Sequence, residues 1–202
     1  MHQETQKTKS VVAAALGVPA LLPFLKEACE REDSWHARHT GVKTVQQIAV
    51  RLGSDVCPHL ESLVGIIGYC LNDENEEVQI ITPLCLSALA EASALNGFES
   101  FDSVFKTLCN CTSLCRGKVL GDFLVAICSL IPLMDATHAA YYAKEVMDIL
   151  IRLIKWNDFQ TKETVVKVMS QCLSTEGVDA DYYRKEILPE FFRNSGGSKP
   201  GR

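Results

Sequence analysis

The sequence lacks the residue patterns that commonly mark an enzyme. It contains no G-x-S-x-G, no G-x-x-x-x-G-K-[ST], no H-E-x-x-H and no G-x-G-x-x-G. The standard ways of placing a nucleophile, a metal or a phosphate therefore lack their residues, and no catalysis is expected. No apolar run reaches the ~18 residues that a membrane span needs, and residues 1–10 are polar where a signal peptide would turn apolar. The expectation is a protein inside the cell with no membrane contact. Positive charge is not in excess either: 20 Lys and Arg stand against 25 Asp and Glu, a net charge of −5. That balance excludes broad electrostatic adhesion to nucleic acid and confines any such contact to a local patch. Alternating runs of strand length are also missing.

Cysteine, by contrast, is plentiful at nine residues. Cys29, Cys57, Cys70, Cys85, Cys128 and Cys172 lie in apolar helical stretches, where a free thiol behaves as a small buried hydrophobe, and an odd count fits a reducing compartment. The cluster Cys109-x-Cys111-x-x-x-Cys115 lacks the paired spacing of a structural zinc site and has no histidine nearby. His36 and His39 share a helical face but lack a third ligand, so packing or capping is the simpler role. No metal or cofactor is expected.

What the sequence does contain is a repeat. Tyr141-Tyr142-Ala143-Lys144-Glu145-Val146-Met147 returns about 41 residues later as Tyr182-Tyr183-Arg184-Lys185-Glu186-Ile187-Leu188. With 47% hydrophobic residues and a mean hydropathy of +0.06, the chain can bury a substantial core. First helices are expected over 19–30, 57–71, 101–109, 141–155 and 182–192. Second helices are expected over 42–52, 78–92, 119–130 and 165–173, with polar corners at 72–75, 113–118 and 156–158. Pro19 and Pro58 suit helix starts, whereas Pro83 and Pro132 would bend or end helices.

About ten helices in about five pairs, spaced at 35–45 residues, predict an all-α solenoid of HEAT-type helical hairpins. The solenoid is expected over 9–193, between a disordered or partial segment 1–8 and a polar, Gly-rich flexible tail 194–202. An array of this kind presents a surface built from neighbouring units, which suits binding of something long.

Particular residues carry a more specific likeness. Leu16-Gly17-Val18-Pro19-Ala20-Leu21-Leu22-Pro23-Phe24-Leu25-Lys26 and Trp35-His36-Ala37-Arg38-His39-Thr40-Gly41-Val42-Lys43-Thr44-Val45-Gln46-Gln47-Ile48-Ala49 are followed by Phe98-Glu99-Ser100-Phe101-Asp102-Ser103-Val104. Then come Arg116-Gly117-Lys118, Leu130-Ile131-Pro132-Leu133-Met134-Asp135-Ala136 and Glu186-Ile187-Leu188-Pro189. In this order, from about Lys9 to Phe192, the chain closely resembles the HEAT-repeat region of the splicing factor 3B subunit 1 family, the scaffold of the U2 small nuclear ribonucleoprotein (U2 snRNP).

The resemblance implies a nuclear role in pre-mRNA splicing within the SF3b complex. There the family's solenoid curls around the branch-site duplex, and its intra-unit turns line the path of the intron toward the 3′ splice site. Implied partners are the pre-mRNA intron and spliceosomal proteins. Matching motifs carry over His39, Lys43, Arg116 and Lys118 as candidate RNA contacts, where a cation could meet a phosphate. Residue chemistry alone leaves a second reading open, in which His39 packs and Lys43 covers apolar surface with its stem.

Departures are visible too. Glu77 and Gln79 stand where the family turn carries Lys and Arg, Val119 stands for a glycine, and Asp122 and Val125 replace small or basic residues. The family scaffold has many more units than the about five here, so uncovered end faces would favour self-association or capture by a partner. The alternative function is that of a diverged partial copy, a protein-binding scaffold without an RNA role.

Overall fold

The computed structural model describes residues 17–94, 97–154, 159–175, 181 and 183–189. Among them are eight α-helices and no strand: α1 (Val18–Cys29), α2 (Trp35–Leu52), α3 (Leu60–Gly68), α4 (Glu76–Ala92), α5 (Glu99–Cys111), α6 (Gly117–Leu130), α7 (Ala136–Ile154) and α8 (Phe159–Ser174). They form four successive hairpins, and a short helical turn at Tyr183–Ile187 follows. The expected segments 1–8 and 194–202 and the corner 156–158 lie outside the described residues.

Two layers organise the hairpins. The second helices pack in sequence, α2 on α4, α4 on α6 and α6 on α8, while the first helices pack α1 on α3 and α3 on α5. This ladder of nearest neighbours is an all-α solenoid.

Local chemistry sets the helix ends. Ser34 accepts a hydrogen bond from the Ala37 amide at 3.3 Å and starts α2, and Gly53, at φ 54°, stops it. The helix therefore begins seven residues before the expected 42–52 segment, because a cap rather than the apolar stripe decides where it starts. Asn75 caps α4 by accepting from the Glu77 amide at 3.0 Å. Glu76 and Glu77 lie in that helix's first turn, where negative charge is favoured. The first helix expected over 57–71 is broken: 3₁₀ turns at Gly53–His59 and Tyr69–Asn72 flank α3, and Pro58, without an N–H, lies in the first of them. Pro132 falls in a 3₁₀ turn just after α6, but α4 runs on through Pro83.

A continuous core joins the units. Phe98, Phe101, Phe105 and Phe123 are fully buried. Phe105 meets the Tyr142 ring edge-on at 4.9 Å, Phe98 lies 5.1 Å from Phe105, and the Tyr142 hydroxyl donates to Asp102 at 2.6 Å. Tyr142 and Tyr183, matched by the 41-residue repeat, are both buried, whereas Tyr141 is exposed.

A second 41-residue series, Cys29, Cys70 and Cys111, falls at the ends of the first helices. The Cys70 thiol faces the Cys29 carbonyl oxygen at 3.6 Å, and Cys111 Sγ donates to Asn72 Oδ1 at 3.0 Å and lies 3.7 Å from the Leu71 carbonyl oxygen. These thiols link each unit to the one before it. Gly41 lets the first hairpin close, since a Cβ there would come within 2.7 Å of Cys29 Sγ.

Phe105→Ala is expected to cost about 3–5 kcal/mol in urea unfolding through reduced burial and cavity formation, against about 1 kcal/mol for Tyr142→Phe. Similar costs for the two would contradict the aromatic junction as the main joint between α5 and α7.

Candidate functional site

The four candidate cations occupy two separate places. His39 and Lys43 lie one turn apart in α2, both half-buried, while Arg116 and Lys118 are exposed at the start of α6. Since α4 packs between α2 and α6, the fold does not bring the two pairs together. Along the second-helix layer the charge alternates: Lys43 on α2, Glu76 and Glu77 at the start of α4, Arg116 and Lys118 at the start of α6.

Each candidate has its own local chemistry. His39 is near Trp35, ring centroids 6.5 Å apart and edge-on, and Trp35 stacks on His36 at 3.6 Å. Burial lowers the His39 pKa below its ordinary 6.5, and Lys43 and His36 add to this while Glu77 of the next unit opposes it. The neutral imidazole is thereby favoured, which leaves Lys43 as the stronger cation candidate of this pair. Arg116 donates through Nη1 to the carbonyl oxygens of Cys115 at 2.6 Å and Ser113 at 3.1 Å. Part of its guanidinium is thus spent on the preceding turn.

Lys118 opens a groove of about 480 Å³ between α6 and α8, with Asp122, Val125, Thr161 and Thr164 also on its walls. Asp122 lies one helical turn after Lys118. Its Oδ2 is buried and accepts no hydrogen bond, and burial raises its pKa, with Lys118 pulling the other way.

The cysteines are free. Cys57 and Cys128 are half-buried and the others buried. Burial pushes the Cys111 thiol up to about 11 and Cys172 to about 12, so neither is a ready thiolate.

A residue pair invisible to sequence spacing holds the first two corners together. Arg38 forks onto Asp73, Nε to Oδ2 at 2.6 Å and Nη2 to Oδ1 at 2.9 Å, with the side chains 11% and 4% exposed. Arg38 also donates to the Arg31 and Glu32 carbonyl oxygens at 2.9 and 3.1 Å. Burial would raise the Asp73 pKa, but the hydrogen bonds from Arg38 and from the Asn75 amide outweigh it and hold the carboxyl below its usual value. Arg38 falls in a segment that carries the family likeness and Asp73 in a turn that departs from it, and only the fold shows that they meet.

No family model matches the chain. It is 51% identical over 192 residues to the U2 snRNP component prp10 of Schizosaccharomyces pombe, covering 95% of this chain and 16% of that protein. It is 44% identical over 189 residues to the U2 snRNP component HSH155 of Saccharomyces cerevisiae, covering 94% of this chain and 20% of that protein. The chain thus spans a fifth or less of the length of these relatives.

Arg38→Met is expected to destabilise the fold by about 3 kcal/mol, because it leaves a buried carboxylate unpaired. The lowered Asp73 pKa adds stability that is complete above the ordinary value of 3.8 and is lost as pH falls through the lowered value. Urea titrations at pH 7 and pH 3 should show a smaller difference between wild type and Arg38→Met at the lower pH. An equal difference at both would remove the ion pair from the account.

Proposed function

We propose that the chain, a homologue of a segment of splicing factor 3B subunit 1, acts in pre-mRNA splicing as a HEAT-type interaction module of the U2 snRNP. It binds in the nucleus, holding intron RNA and spliceosomal proteins at the branch site and 3′ splice site, and it carries out no catalysis of its own. The observation that carries this reading is the match to named U2 snRNP components over nearly the whole chain.

The electrostatics narrow how RNA is held. Lys43 on α2 and Lys118 on α6 supply phosphate contacts, with Arg116 and His39 beside them, and the intervening rung at Glu76 and Glu77 repels the backbone. RNA therefore touches alternate units. Because Lys43 and Lys118 contact phosphate and not base edges, their contribution is independent of sequence and falls with salt.

A second reading has its own support in the acidic corners. Glu30, Glu32 and Asp33 in the first unit and Glu74, Glu76 and Glu77 in the second are solvent-facing carboxylates at successive turns, which favours a scaffold that contacts splicing proteins without RNA.

Tagged protein recovered from nuclear extract is expected to bring U2 RNA and splicing subunits with it. With purified protein, Lys43→Glu together with Lys118→Glu should weaken single-stranded RNA binding and reduce the slope of log affinity against log salt by about 1.4, roughly 0.7 for each phosphate no longer neutralised. An unchanged slope with splicing proteins still recovered would move the reading to the scaffold.

A further inference from the structure

We propose that the groove between α6 and α8 is a nucleobase pocket, in which Asp122 accepts a hydrogen bond from the exocyclic amine of adenine or cytosine while Lys118 holds the adjoining phosphate. This rests on the RNA-binding reading above and adds base selectivity to it.

The groove's volume of about 480 Å³ is in the range that encloses a small organic ring system. Its charges are arranged in series along one helix, with the exposed Lys118 ammonium a turn before the Asp122 carboxyl. A phosphate alone would gain from Lys118 and be repelled by Asp122. A basic side chain would gain from Asp122 and be repelled by Lys118. A nucleotide with an anionic backbone and a neutral donor edge satisfies both.

Asp122 lines the groove while its Oδ2 is buried and has no hydrogen-bond donor. The carboxylate therefore meets a base through its other oxygen, and no hydrogen bond to Oδ2 has to be given up when the base arrives. The groove wall also contains Thr161 and Thr164 of the next unit, so the pocket exists only where two units stack. Carboxylates accept from the cytosine or adenine amine, whereas the single ring N–H of uracil is flanked by two carbonyl oxygens that repel them.

The test is fluorescence anisotropy of the full chain with oligo(A), oligo(C) and oligo(U) of equal length at one salt concentration. Wild type should prefer oligo(A) or oligo(C) over oligo(U) by about ten- to a hundredfold, the range of one hydrogen bond to a charged group. Asp122→Ala should erase that preference while oligo(U) binding stays the same or tightens. Asp122→Asn, which can also donate, should shift the preference toward oligo(U). Circular dichroism checks that both variants are folded.

Equal wild-type affinities, or an equal change for all three oligomers in Asp122→Ala, would overturn the pocket and leave RNA binding standing. Binding of an Arg-rich peptide that Asp122→Ala abolishes, with no base preference, would overturn it in favour of a protein partner. No measurable binding to any oligomer would overturn both the pocket and the RNA reading.

Discussion

The structure depends on each helical hairpin burying the apolar face of its neighbour. One hairpin cannot cover its own core, so the ladder from α2 through α4 and α6 to α8 turns a series of weak units into a continuous interior. The polar contacts follow the same logic. Cys70 and Cys111 each reach back to the preceding unit, Arg38 ties the first corner to Asp73 in the second, and Tyr142 reaches back to Asp102. Each of these contacts spans about one repeat.

The same constraint decides what the surface can do. Packing fixes which helix lies beside which, so the charges carried by the second helices become a sequence of rungs read across the layer. Lys43 on α2 and the Arg116/Lys118 pair on α6 are separated by Glu76 and Glu77 on α4, a pattern no single helix contains. Substituting a surface residue changes the rung without disturbing the stack, since Glu77 and Lys118 are both exposed. Exposed positions of this kind can vary with little effect on the fold.

Much of the fold was legible because hairpin repeats are local. The tyrosine repeat set the period, Asn75 marked a corner that the structure confirms as a cap, and apolar spacing located the second helices. The start of α2 was not legible, because Ser34 caps a stretch holding Trp35, His36, Arg38 and His39, whose polar residues obscure the stripe. Pro58 was expected at a helix start and lies in a 3₁₀ turn instead. The candidate site was less legible than the fold. Lys43 and Lys118 stood out through the family likeness, but Arg38 with Asp73 and the unsatisfied oxygen of Asp122 come from distant pairing and local burial, which periodicity does not encode. The 41-residue spacing of Cys29, Cys70 and Cys111 was present in the sequence and would have revealed the link between units.

The most direct measurement of the central claim is ultraviolet cross-linking of the protein to RNA in nuclear extract, with the attached peptides identified by mass spectrometry. Alternating rungs predict RNA-linked peptides from the first half of α2 and from the start of α6, and none from residues 73–79. Cross-links concentrated at 73–79 or along the first helices, or no cross-links at all, would contradict an RNA track laid across the second-helix layer.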